Sequence, residues 1–367
     1  MILYYGVICR MRKALKIIGV ILGSLLLVLG VFLFYLYRKT QPEAMAKFIR
    51  ENPWRASVCL VQNDTTFAAQ NIDSVMPLAS TVKIIVAVEY ARQVAAGIID
   101  PAEMIDTADL DRFYVPNTDG DAHPSWMAAV RKKGQIFGEK VPLNEVAKGM
   151  IRFSSNANTE YLLDRLHVDS VNAGIKRLGL SKQEPLYPFV ASLFIGQGLT
   201  IDQIKAMSDE KYIAASVAIH DKLKTDTAFK RTFKPVTLDM QRVWSDRLPG
   251  GTTREYAAIL KKINRHDFFS AVEQKVMDEL MEGILDNPQN REWLTHAGFK
   301  GGSTAFVFTM AMYATSKKGT RTELAYFFND LSMWESLLLQ AAANEFHLAI
   351  LRGPATRNKI VDILNGK

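Results

Sequence analysis

Apolar positions along the chain change period several times, and each change predicts an element. From residue 56 the run "ASVCLVQND" and then "TTFAAQNI" read as two strands around a polar turn at Asn63 and Asp64. "STVKIIVAVEYARQVAAG" follows, with the composition of a buried helix that stops near Gly97. Periodicity is weak over 106–138, where "VPNTDGDAHPS" supplies several turn residues, so this segment is expected to be rich in loops. "PLNEVAKGMIRFS" puts Leu143, Val146, Ala147, Met150 and Ile151 at helical spacing. "NANTEYLLDRL" continues as another helix, and "VNAGIKRLGL" ends at a glycine-containing stop. Residues 200–225 are helical and mixed in character, "TTREYAAILKKIN" is a helix capped by Thr252 or Thr253, and "AVEQKVMDELMEGIL" is another. Two strand-like runs, "AFVFTMAMYAT" and "TELAYFFNDL", flank the hairpin turn "SKKGTR". "WESLLLQAAANEFHLAIL" and "TRNKIVDIL" close the chain as helices. Strands at both ends with helices between them predict one α+β domain.

The N-terminus has a different pattern. Residues 17–37, "IIGVILGSLLLVLGVFLFYLY", are apolar for about the length that spans a bilayer. Arg10, Arg12, Lys13 and Lys16 precede the run, and Arg38 and Lys39 follow it. This bias predicts a basic cytoplasmic segment (1–16), a single-pass signal-anchor helix in the inner membrane (17–37), a linker (38–53) and a body (54–367) on the periplasmic side. A cleaved signal peptide, with "AMA" at 44–46 as the cleavage site, is the alternative. The apolar run is long for that, and charged residues separate it from the site.

Composition narrows the partners. The 367 residues are 48% hydrophobic and 23% charged, as in ordinary globular proteins. A net charge of +7 suits a membrane surface or an anionic envelope polymer. No dense Lys/Arg tract or RNA-binding aromatic pattern occurs, which argues against nucleic acid. Cys9 and Cys59 lie on opposite sides of the apolar run, so no disulfide is expected, and Cys59 reads as a core thiol. The six histidines show no paired ligand spacing, so neither a metal nor a cofactor is expected.

Candidate chemistry starts at Ser80 and Lys83, three apart and therefore on one helical face. A lysine near the buried start of an apolar helix is costly unless something pairs with it or uses it. The plain alternative is a serine cap followed by a lysine that snorkels to water. Two further stretches change this balance: "FSSNANTEYLL", with Ser154 and Asn156, and "AGFKGGSTAFVF", with Lys300, Gly301, Gly302 and Ser303 at the start of a strand. In order these give S-x-x-K, S-x-N and a K-[ST]-G variant with Gly301 in the middle, a set that resembles that of the penicillin-recognising serine acyl-transferases.

The flanks extend the likeness. "MPLASTVKIIVAVEYARQVAAGIID" resembles the nucleophile helix of class A β-lactamases, and "LPGGTTREYAAILKKI" is similar to a late helix start in that family. The resemblance covers residues 54–367, with 189–248 a divergent or inserted helical region. It implies an antiparallel sheet with helices on both faces and an acyl-enzyme mechanism on a small-molecule substrate. In that scheme Ser80 is the nucleophile and Lys83 its base, with Lys300 as the second cation that binds the substrate carboxylate. Ser154 shuttles protons, Asn156 binds Lys83 and the substrate amide, and the Ser80 and Ser303 amides form an oxyanion hole. Gly301 and Gly302 let the acyl donor approach closely. Glu184, in "QEPLYP", best matches the family's deacylating glutamate, but the loop is short, lacks the following Asn, and reads equally as a solvated turn. Three functions stay open: hydrolysis of β-lactams or a related amide or ester, D-Ala-D-Ala peptidase action on peptidoglycan, and non-catalytic binding of cell-wall peptides.

Overall fold

The computed structural model describes residue 22 and residues 24–367. A five-stranded antiparallel sheet contains β1 (Ala56–Gln62), β2 (Thr65–Gln70), β3 (Leu294–Ser303), β4 (Phe308–Ser316) and β5 (Arg321–Phe328), in the order β2-β1-β5-β4-β3. β1 and β2 form the expected hairpin, and Asn63 and Asp64 hold the positive φ values, 46° and 66°, that a two-residue turn demands. The chain then leaves the sheet and returns for its last three strands, which sets Cys59 opposite Ala325 and Leu60 opposite Leu324.

The main helices, in chain order, are α1 (Pro42–Glu51), α2 (Lys83–Ala95), α3 (Asn156–Leu166), α4 (Asp209–Thr225), α5 (Thr253–Arg265), α6 (Ala271–Met281), α7 (Met333–Arg352) and α8 (Pro354–Leu364). Alternation along β5 sorts them into two layers. Leu324, Tyr326 and Phe328 pack with Ile49 of α1, Phe346 of α7 and Ile360 of α8. Ala325 and Phe327 face the opposite way, towards Ile85 of α2, Ile259 of α5 and Met277 of α6. The architecture is thus the expected α+β sandwich with helices on both faces of an antiparallel sheet.

Helix ends follow the residues that favour them. Thr252 caps α5 by accepting a hydrogen bond from the Glu255 N–H at 3.2 Å. Gly97 and Gly179 take left-handed conformations just past their helices, with φ of 65° and 76°. Two expectations need correction. The segment 106–138 carries two helices, Thr107–Asp111 and Ala122–Lys132, whose buried Leu110, Trp126 and Val130 are too few to make a periodic signal. Lys300, Gly301 and Gly302 end a strand instead of starting one, since β3 begins at Leu294.

Residues 24–39 are helical, with Leu25, Leu29, Phe32 and Phe34 exposed. The span expected at 17–37 lies partly outside the described residues, and the basic segment 1–16 lies wholly outside them. Among the described residues no helix is long and apolar enough to cross a membrane.

Candidate active site

Ser80 sits in a single 3-10 turn, Ala79–Val82, which runs straight into α2. The residue before it, Ala79, has φ +46°, a left-handed conformation that a side chain disfavours and that costs on the order of 1–3 kcal/mol. Such strain persists only where the surroundings hold it. Here Thr309 Oγ1 on β4 donates to Leu78 O at 2.7 Å, and it lies 2.8 Å from Thr81 Oγ1. Strand β3 presses against the same turn: a Cβ on Gly302 would stand 2.5 Å from Ser80 N and 2.7 Å from Leu78 O. Only glycine permits that approach. The Ser80 amide is therefore set directly against the strand that carries Ser303.

One turn along, Lys83 is fully buried. Its Nζ donates to Ser154 O at 2.7 Å and to Asn156 Oδ1 at 2.9 Å, and it lies 3.3 Å from Ser154 Oγ. It does not snorkel to water. Burial, reinforced by the charge of Lys300, pushes its pKa well below the ordinary 10.5, while Asp119 and Glu160 pull the other way. Lys300 is also buried, and its Nζ donates to Ser154 Oγ at 2.9 Å and to Gly301 O at 2.7 Å. Burial brings its pKa down to about 7. Each ammonium charge disfavours the other, so the buried pair gives up one proton readily. Among the hydrogen bonds of the described residues, none joins Ser80 Oγ to Lys83 Nζ, and such contacts commonly tighten only when substrate is bound.

Local folding places the third group. The helical winding widens to a π-type turn over Gly149–Phe153, and Ser154 then takes φ 68°. Ser155 caps α3 by accepting from the Asn158 N–H and is held in turn by His123 Nδ1 at 2.9 Å. The result turns Ser154 and Asn156 towards Lys83. Ser80, Ser154, Asn156, Gly302 and Ser303 together line a cavity of about 430 Å³, a size suited to a small molecule. Phe189, Gln241, Trp244 and Leu248, all from the divergent 189–248 region, close its other side.

Glu184 is elsewhere. Its exposed side chain accepts the Gly250 N–H at 2.8 Å through Oε2, its own N–H donates to Gly250 O at 2.9 Å, and it does not line the cavity. The carboxylate that does line it is Asp119, which the sequence reading missed. Asp119 Oδ2 accepts from the His123 N–H at 3.1 Å, and Oδ1 is buried with no hydrogen-bond partner. It lies in the turn-rich stretch "NTDGD", where no spacing links it to Ser80.

A family model described as "Beta-lactamase enzyme family" matches residues 42–303, most of the chain. The chain belongs to that family. It is a serine hydrolase of β-lactamase type, with the buried lysine pair and strained Ser80 turn described above. A comparison with curated proteins found no match. Among solved structures, the fold is similar to a class A β-lactamase from Bacteroides cellulosilyticus, at 17% identity and a TM-score of 0.52, covering 89% of this chain and 99% of that one. A β-lactamase from Sphaerobacter thermophilus gives 20% identity and a TM-score of 0.54, covering 86% of this chain and 96% of the other. A third, from Chitinophaga pinensis, gives 15% identity, a TM-score of 0.51, and coverage of 86% and 99%. At these identities the likeness is one of fold.

Proposed function

We propose that this β-lactamase family member is anchored by residues 17–37 with its body outside the inner membrane, and that it opens β-lactams or a related amide or ester through an acyl-enzyme on Ser80. The observation that carries the reading is the contact of Lys83 Nζ with Ser154 and Asn156 inside a buried site shared with Lys300. A lysine held neutral there is a competent base for the Ser80 hydroxyl, which is otherwise a poor nucleophile. The proton taken from Ser80 passes by way of Ser154 Oγ to the leaving nitrogen. Lys300, retaining its charge, attracts the substrate carboxylate. The Ser80 and Ser303 amides receive the developing oxyanion.

Release of the acyl group is slow in this reading. Glu184 is bonded to Gly250 and stands outside the cavity, which leaves it badly placed to activate a water on the acyl group. That observation favours a peptidase-like or deacylation-limited enzyme over a fast β-lactamase. The experiment is a fluorescent penicillin pulse on the full chain in membranes, followed by an unlabelled chase. A label that lasts for many minutes supports the reading, and a label lost within seconds would make this a rapid β-lactamase. Absence of labelling would favour a non-catalytic binder of cell-wall peptides. A reporter fused after Lys367, active only outside the cytoplasm, tests the orientation.

A further inference from the structure

Three side chains far apart in the sequence meet on the flank of the domain. His266 follows the last residue of α5 and takes a left-handed conformation with φ 56°. Glu282 begins the 3-10 turn after α6, and His296 stands near the start of β3. One ligand atom from each of the three lies within 4.8 Å of the others. His296 Nδ1 is 3.1 Å from Glu282 Oε1, and the two imidazole rings have centroids 4.2 Å apart. A second carboxylate joins them, because Asp278 Oδ1 is 3.4 Å from His266 Nε2. Tyr313 Oη, 3.3 Å from Glu282 Oε1, braces the carboxylate from behind.

We propose that His266, Glu282 and His296 form a binding site for a zinc-like divalent transition-metal ion. The donor chemistry selects the metal. Two imidazoles with one or two carboxylates suit zinc and its neighbours, whereas calcium and magnesium take oxygen ligands. Ligand atoms around a tetrahedral zinc stand roughly 3.3 Å apart, from bond lengths near 2.0–2.1 Å. The present spread is wider, and closing it requires the His266 ring, now 3.4 Å from Asp278 Oδ1, to turn inward. Glu282 is partly buried and already oriented by Tyr313, as ligating carboxylates usually are by a neighbouring donor.

The site ties three elements together: the end of α5, the turn after α6, and β3. β3 is the edge strand of the sheet, and His296 and Lys300 lie on the same strand with even spacing, so both point to the same face. Metal binding thus braces the strand that carries Lys300 and Gly302. The consequence is stabilisation of the folded chain, with no metal taking part in the serine chemistry. A metal that binds the folded chain alone raises its melting temperature with concentration.

The test uses the tag-free full chain, stripped with a chelator and titrated with zinc chloride against a chromophoric competitor. One zinc per chain is expected, together with a rise in melting temperature. His266→Ala with His296→Ala should weaken binding at least about 100-fold, since two of the ligands are lost, and should abolish the thermal shift. Glu282→Gln, which keeps its size, should weaken zinc binding while leaving Ser80 labelling by penicillin intact. Cobalt(II) in place of zinc should give the intense visible absorption of a tetrahedral site. Failure of the wild-type chain to bind zinc, or equal zinc affinity in the double histidine variant, would overturn the proposal. Penicillin labelling is read separately, so loss of the metal site leaves the serine hydrolase reading untouched.

Discussion

Lys83 and Lys300 meet at one atom: Ser154 Oγ lies 3.3 Å from the first ammonium nitrogen and 2.9 Å from the second. Two like charges buried that close disfavour each other, so the pair gives up one proton readily. A proton lost from Lys83 leaves the shared serine between a neutral amine and a cation, the arrangement needed to take a proton at Ser80 and to hold an anionic substrate.

The pair dictates a pH profile. Acylation requires Lys83 neutral and Lys300 charged, so its rate should rise as Lys83 deprotonates and fall as Lys300 loses its proton at about 7. The two limbs belong to the pair as a whole. Stopped-flow acylation by a chromogenic cephalosporin from about pH 4 to about pH 11 checks this. A single rise near 10.5, the ordinary lysine value, would show that neither lysine is perturbed.

Lys300→Met should trade activity for stability. The folded chain releases the Lys300 proton at about 7 and an unfolded chain near 10.5, so between those values the unfolded state holds more protons and stability rises with pH. Below pH 7 both states are protonated and the full cost of burial is present. The methionine variant should therefore melt higher than wild type at pH 6, by a margin that shrinks towards pH 10, while penicillin labelling falls sharply. Thermal unfolding at the two pH values reads the margin directly.

Gly302→Ala should damage the site without touching any catalytic side chain. Its methyl would arrive 2.5 Å from Ser80 N and 2.7 Å from Leu78 O, both backbone atoms that cannot turn aside. Displacing the Ser80 amide from β3 should cost at least about 10² in acylation rate, the loss typical of a missing oxyanion donor. Gly301→Ala is the contrast, since its methyl meets the flexible end of Met310 at 3.0 Å. It should retain most of the rate.

Much of this site was legible before the fold, because Ser80 with Lys83, and Ser154 with Asn156, are local patterns that a helix and a turn convert directly into a shared face. The β1–β2 and β4–β5 hairpins were equally clear, each carrying turn residues between strand-like runs. β3 was harder to read: Gly298, Gly301 and Gly302 dilute its strand composition, and Gly298 and Gly302 are there because Tyr313 and the Ser80 turn pack too close for a side chain. Asp119 and the histidine cluster had no local signal at all. Tertiary packing alone brings His266, Glu282 and His296 together, and only the fold shows Glu184 on Gly250.

Glu184→Ala should leave the lifetime of the acyl-enzyme unchanged, because the side chain serves Gly250. Asp119→Asn removes a carboxylate that pulls the Lys83 pKa upward, so the acid limb of the acylation profile should move to lower pH. Chase experiments on the first and rate profiles on the second separate a scaffold glutamate from a carboxylate that acts on the site. A trapped adduct in the Glu184 variant alone would reverse its assignment.

Whether Ser80 carries the acyl group is read from intact-protein mass spectrometry after incubation with penicillin. Wild type should gain the mass of one ring-opened penicillin, with the modified peptide containing Ser80, and a folded Ser80→Ala chain should gain nothing. An adduct on the alanine variant, or none on the wild type at saturating penicillin, would contradict the account.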